Sequence, residues 1–284
     1  MILRPCGQIV PAFRLATHHS RFSVAVRSIG VLREFAVLLG RSALDVLFPK
    51  VCMLCGKAVS GQDSDLCACC YGSIEKITGP VCTRCGTVFA SPYGGDHLCG
   101  DCIARRPHYD CARSAGVYVG ELRRAIQQFK FKRRSMLSAP LADFVACCCG
   151  PIGPQRGYAA LVPVPLHLDR LRHRGYNQSL LLALHLGRQW RVPVERDYLR
   201  RINWSVSQIS LRRSQRRRAV RGAFTCHSSR YVGKRLLRID DVFTSGATVD
   251  ECARTLKRYG AAAVDVLTVA RTLRGPSECQ VLNA

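Results

Sequence analysis

The sequence predicts an α/β protein with a mainly parallel sheet, preceded by a small cysteine-rich module held together by metal. Three observations carry that expectation. Beyond residue 158, apolar runs of strand length alternate with segments of helical periodicity, the order that builds strand–helix–strand units. Ten of the 17 cysteines fall between Cys52 and Cys111, eight of them in four Cys-x-x-Cys pairs. The 284 residues are 48% apolar and 22% charged, a globular balance. Arg27, Arg33, Glu34 and Arg41 interrupt the best apolar stretches well before the roughly 18 residues that cross a bilayer, so no transmembrane segment is expected. Thiols kept for metal imply a reducing, cytoplasmic setting.

Taken in order, residues 1–48 form an N-terminal extension. Residues 1–33 contain no acid and several Arg and Ser, yet read as a leader upstream of the true start or a loosely ordered tail rather than a transit peptide. From Val31 to Phe48, Leu32, Phe35, Leu39, Leu44 and Leu47 recur at helical spacing and Pro49 closes the segment. This amphipathic helix is expected to pack on its own protein. Residues 49–107 are the cysteine module, and residues 108–284 the α/β domain. That domain opens with a strand over 114–119, a helix with Leu122, Ile126 and Phe129 on one face, and a helix over 137–148. A strand over 158–163, a helix over 177–190, a strand over 235–239, a helix over 247–259 and a strand over 263–269 follow. One stretch breaks the alternation: Arg200 to Phe224 is polar and Arg-laden, and such a loop in a compact domain is functional or disordered.

The four pairs are Cys52/Cys55, Cys67/Cys70, Cys82/Cys85 and Cys99/Cys102, separated by 11, 11 and 13 residues. Two residues between ligands let a tight turn aim both thiolates at one ion, and two such turns complete a tetrahedral shell with Zn–S distances of about 2.3 Å. Eight ligands make two structural zinc sites. Spacing alone leaves open whether the pairs combine as neighbours or interleave. Cys147, Cys148 and Cys149 are consecutive and cannot all face one ion from a helix, so they read as core or helix-end residues.

The most informative segment runs from Leu236 to Thr248: an apolar strand ends in Asp240 and Asp241, turns through Thr244, Ser245 and Gly246, and enters a helix at Ala247. Free backbone N–H groups and the helix dipole point at an anion bound there. Gly246 lets the backbone approach, while Thr244, Ser245 and Thr248 add hydroxyl donors. Acids are wrong for phosphate but suit ribose hydroxyls and a bridging Mg²⁺, so both carboxylates are expected to face a sugar. Phosphate at one end and a diol at the other describes a ribose 5-phosphate.

Charge is concentrated: residues 103–235 hold 27 basic and 6 acidic side chains, +21 of the net +24. Such a field attracts polyanions, whether nucleic acid or a small polyphosphate. For single-stranded nucleic acid the basic loop is short of aromatic partners, offering Trp204 and Phe224.

The Asp240–Thr248 segment is similar to the signature of type I phosphoribosyltransferases. More narrowly, the chain from about Val37 resembles the ComF/ComFC family of competence-associated proteins. The likeness is carried by Phe48-Pro49 before the cysteine module, Phe129-Lys130-Phe131-Lys132, Val162-Pro163-Val164-Pro165, the Arg172–Gln178 block, Gln208–Leu211 and the Arg216–Phe224 block. It implies a type I phosphoribosyltransferase-like domain behind a double zinc ribbon. It also implies binding of phosphoribosyl pyrophosphate with Mg²⁺ by Asp240, Asp241, Thr244, Ser245, Gly246, Ala247 and Thr248, and transfer of ribose 5-phosphate to an acceptor that the sequence does not spell out. Val164 and Pro165, with Arg170, Arg172 and Arg174, would form the pyrophosphate loop. Residues of about 205–222 would form a flap carrying Arg212, Arg213, Arg216 and Arg217. His167 and His173 lie near that pyrophosphate loop but read as structural. The same resemblance implies association with DNA uptake, and the competing reading is a non-catalytic competence protein that binds single-stranded DNA and works with other DNA-uptake proteins. The chain departs from the family pattern at Ala219, where Asn is common, and at Arg238, where an apolar residue is usual and which is expected to face outward.

Overall fold

The computed structural model describes residues 50–59, 65–91, 93–202 and 220–273. The expected helix over 31–48, and the basic flap up to residue 219, lie outside them. The chain divides into two compact units, Met1–Cys67 and Ala68–Ala284, so the second pair of cysteine turns shares a unit with the sheet.

Two turns in the module are built alike. In one, Val51 bridges Ala58, Cys52 N–H donates to Lys57 O at 2.8 Å and Gly56 N–H to Cys52 O at 2.9 Å. In the other, Val81 bridges Val88, Cys82 N–H donates to Thr87 O at 2.8 Å and Gly86 N–H to Cys82 O at 2.9 Å. Gly86 sits at φ +70°, and a Cβ there would lie 2.6 Å from Ala112 O. Only glycine lets this turn press against the sheet. Two short helices accompany the cysteines, α1 (Ala68–Gly72) and α2 (Gly100–Ala104).

In the larger unit, β1 (Cys111–Val117), β2 (Ala160–Pro163), β5 (Arg235–Phe243) and β6 (Ala263–Arg271) form a wholly parallel sheet in the order β1-β6-β5-β2. Between β2 and β5 in sequence lie two short strands that pair antiparallel, β3 (Leu199–Arg201) and β4 (Phe224–Cys226). Helices α3 (Gly120–Phe131), α4 (Ser138–Cys148), α5 (Leu168–Arg174), α6 (Gln178–Trp190) and α7 (Ala247–Arg258) make the crossovers. Leu122, Ile126 and Phe129 are fully buried, as the 3.6-residue pattern of α3 requires, and Leu141, Phe144, Leu182 and Leu186 bury the facing sides of α4 and α6. Cys147 is exposed, with Cys148 and Cys149 half-buried, at the end of α4. No helix among the described residues is long and apolar enough to cross a membrane.

Both borders of the sheet are paired. On the β1 side, Val117 N–H donates to Glu75 O at 2.9 Å, Ile77 N–H to Ala115 O at 3.2 Å and Ala112 N–H to Arg84 O at 2.7 Å. Along β2, Leu161 donates to Pro193 O at 2.8 Å and accepts from Glu195 N–H at 2.9 Å. Buried backbone groups need such partners, and here cysteine-module segments supply them to β1.

Two differences from the sequence reading matter for function. Strand β5 runs on through both acids to Phe243, with Asp240 opposite Thr268 and Val242 opposite Ala270. The acids therefore stand inside a strand, where successive side chains take opposite faces. Second, β2 stops at Pro163, opposite Ile239, while the parallel β5 runs four residues further, so the turns after both strands leave from one end of the sheet. Crevices at the carboxyl ends of parallel strands are where α/β folds bind ligands.

Candidate functional site

Alternation along β5 separates the two acids. Asp240 shares a face with Arg238, and both its oxygens are engaged: Oδ2 accepts from Arg238 Nη2 at 2.9 Å, and Oδ1 from Ser179 Oγ and from Asp241 N–H, both at 3.0 Å. Asp241 takes the other face and pairs with Lys130 Nζ of α3 at 2.8 Å. Burial pushes the Asp240 carboxyl above its ordinary range; Arg238 and Lys130 oppose that shift and Asp241 adds to it.

Arg238 does not face outward as the sequence reading expects. Its side chain is fully buried, with Nε and Nη1 lacking hydrogen-bond partners. Asp240, two residues along on the same face, is the reason the position tolerates a cation. Cys252 of α7 lies against the guanidinium, but burial pushes that thiol up to about 11. Being neutral near pH 7, Cys252 leaves the balancing charge to Asp240.

Beyond Phe243 the chain turns through an exposed Thr244 and through Ser245, whose Oγ accepts from Ala247 N–H at 3.4 Å. Gly246 sits at φ +73° as the residue that opens α7, and a Cβ there would lie 2.9 Å from Phe243 Cζ. Nothing larger fits that conformation. The first-turn N–H groups of α7, with Thr248 among them, face the same end of the sheet as Val164 and Pro165 after β2.

The second turn is tied down by Asn177, which donates from Nδ2 to Val164 O at 2.9 Å while its Oδ1 caps α6 by accepting from Leu180 N–H at 3.2 Å. Arg174 donates to Gln178 Oε1 at 3.0 Å, and its guanidinium lies 5.2 Å from the Phe131 ring centroid. Burial and Arg170 depress its pKa, whereas Asp241 and Asp240 raise it, which sets Arg174 within electrostatic reach of the acids and Arg170 near Arg174. Arg172 is 80% exposed and points away into solvent beside Asp169. His167 caps α5 by accepting from Asp169 N–H at 3.3 Å, and His173 is exposed. Arg212, Arg213, Arg216 and Arg217 lie outside the described residues.

Lys130, Ser179 and the Arg238–Asp240 pair escaped the sequence reading as members of this site. Arg-x-Asp on a strand was the one available signal, because residues two apart share a face.

The cysteines gather as neighbours. Cys52, Cys55, Cys67 and Cys70 form one group and Cys82, Cys85, Cys99 and Cys102 another, all ligand atoms within 4.8 Å of one another. Cys55 and Cys67 sulfurs are 3.6 Å apart, as are those of Cys85 and Cys99, close to the edge of about 3.8 Å of a tetrahedral zinc tetrathiolate. Backbone N–H groups of Cys85 and Cys99 donate to Cys82 Sγ at 3.4 and 3.3 Å, favouring thiolate there. This donor set fits zinc, with all four positions protein-filled.

Residues 43–103 match the family model of the double zinc ribbon domain. The DNA utilization protein YhgH of Escherichia coli K12 is 30% identical over 233 residues, 79% of this chain and 98% of that protein. Competence protein F of Haemophilus influenzae is 28% identical over 225 residues, 78% of this chain and 96% of that one. The chain belongs to the ComF family. Among solved structures, this ComF protein resembles the glutamine phosphoribosylpyrophosphate amidotransferase of Bacillus subtilis complexed with ADP and GMP at a TM-score of 0.33, with 17% identity over 50% of this chain and 30% of that one. A likeness so distant adds nothing to the geometry above. The curated relatives share nearly their whole length with the ComF chain, ribbon and sheet together.

Proposed function

We propose that this ComF protein binds phosphoribosyl pyrophosphate with Mg²⁺ and transfers its ribose 5-phosphate to a nucleophile, in the service of DNA utilization in the cytoplasm. The supporting observation is the Asp241 carboxylate near the end of β5, followed directly by a left-handed glycine turn that opens α7. The turn's N–H groups and hydroxyls hold the 5-phosphate, and Asp241 accepts from the ribose diol. Lys130, which neutralises Asp241 at 2.8 Å, and Arg174, with Arg170 near it, meet the negative charge that leaves. Asp240 serves as the fixed counter-charge of Arg238. Mg²⁺, a hard cation suited to the Asp241 oxygen and to phosphate, screens the diphosphate when bound. In the reaction the C1–O bond to pyrophosphate breaks, the pyrophosphate leaves with the electron pair, and C1 bonds to the acceptor as its proton departs. Preorganised cations stabilise the charge that develops on the leaving group.

The test is calorimetric titration of zinc-loaded protein with phosphoribosyl pyrophosphate and Mg²⁺, beside Asp241→Asn. The wild type is expected to bind in the micromolar range and the variant at least about tenfold more weakly. A well-folded wild type that takes up no heat of binding overturns the proposal.

A second reading has support of its own in the exposed basic side chains of α5 and in relatives named for DNA utilization and competence. Binding of single-stranded DNA by that surface would fall steeply with salt and survive Asp241→Asn, which separates the two activities.

A further inference from the structure

We infer that Arg271 couples the Cys82–Cys102 metal centre to the Thr244–Thr248 turn, so that the state of the metal sets how firmly the turn is held. The inference deepens the reading of that turn as a phosphate site and rests on it for its functional meaning.

The path is continuous and buried. Arg271 ends β6 with 1% of its surface exposed. Its Nη1 donates to Cys85 O at 2.9 Å and its Nη2 to Thr87 Oγ1 at 3.0 Å, and that hydroxyl lies 3.2 Å from Cys85 Sγ. On its other side the guanidinium covers the Phe243 ring at 5.1 Å from the centroid. Phe243 is itself buried, takes Tyr109 edge-on at 6.2 Å, and supports Gly246, whose added Cβ would meet the ring at 2.9 Å. A cavity of about 40 Å³ is lined from one side by Cys85, Cys102 and Tyr109 and from the other by Ser245, Gly246 and Asp250. Metal ligands and turn thus wall the same space.

Zinc on four thiolates carries a formal charge of about −2, and a guanidinium fixed beside it interacts strongly because little water intervenes. With the metal bound, the Cys85 turn presents its carbonyl and the Thr87 hydroxyl to Arg271, which clamps Phe243 under the turn. Loss of the ion frees the Cys82–Thr87 turn, and the clamp loses the acceptors that aim it. Arg271 is a positioning residue in this arrangement and touches no substrate.

The experiment is hydrogen–deuterium exchange on the full-length zinc-loaded protein without added ligand, comparing wild type, Arg271→Met and Thr87→Val, with the wild type also measured after chelation. Amides of residues 243–250 are expected to exchange about tenfold faster in Arg271→Met and after chelation, and severalfold faster in Thr87→Val. Amides of 160–163 and 235–239 are expected to keep wild-type rates in both variants. Unchanged exchange of the turn in an Arg271→Met chain that melts cooperatively overturns the coupling. So does a Thr87→Val chain in which sheet and turn accelerate together, since that marks a merely structural role; Thr87→Val covers the case in which Arg271→Met does not fold. A wild type that ignores phosphoribosyl pyrophosphate sinks the phosphate-site reading alone, because the exchange readout involves no ligand.

Discussion

Replacing Arg238 by leucine is expected to cost the larger unit about 3 kcal/mol of stability, because it leaves the largely buried Asp240 carboxylate without its cation. The pair is held at 2.9 Å with the arginine side chain fully buried and the aspartate side chain 16% exposed, so water replaces only part of the lost cation. Adding Asp240→Asn to the leucine variant is expected to return most of the loss, as the remaining amide needs no counter-charge. The effect also carries a pH signature. Burial raises the Asp240 carboxyl, so the folded chain holds this proton more tightly than the unfolded chain. Such a group stabilises below the unfolded carboxylate value and loses that contribution as pH rises through the folded one. Without Arg238 the folded value climbs further, and the gap between wild type and Arg238→Leu widens with rising pH. Urea denaturation at pH 5 and pH 8 measures it; equal stability of the two chains at both values would show that the ion pair is not buried in solution.

Cys85→Ser is expected to have the other large effect, lowering bound zinc from two ions to about one and the melting temperature by more than about 10 °C. Zinc binding in such modules is folding free energy, worth about 10 kcal/mol or more in isolated peptides. Here Cys85 is buried and its turn lies against β1 and β6, with Ala112 N–H donating to Arg84 O at 2.7 Å and Arg271 donating to Cys85 O at 2.9 Å. Collapse of the turn therefore withdraws contacts from the sheet itself. Metal analysis with thermal melting tests this, and a serine variant that keeps both ions or melts with the wild type refutes it.

What could be read before the fold was known is what depends on neighbours in sequence. The cysteine pairs declare themselves because each turn brings its two ligands together within four residues. Asp240 to Thr248 does so because strand, turn and helix start follow one another directly. Long-range partners were not readable: Lys130 meets Asp241 across 111 positions of sequence, and Arg271 meets Thr87 across 184. Burial of a whole arginine is likewise a tertiary event, since the apolar run around Arg238 says only that the strand is interior. Helix α5 was missed because seven residues rich in Arg and His carry no apolar stripe, and the β3–β4 pair because its strands are three residues each and more than twenty positions apart.

The pairing along β1 bears on how the chain survives its own synthesis. A strand at the border of a sheet offers a row of free N–H and C=O groups that another chain can join. In this protein the covering segments, around Glu75–Ile77 and Arg84, lie among the cysteines and leave the ribosome before the sheet they shield. Metal supply thus decides whether that border is closed when β6 arrives. In zinc-starved cells the protein is expected to accumulate as aggregates joined through β1 before any loss of chemistry is felt.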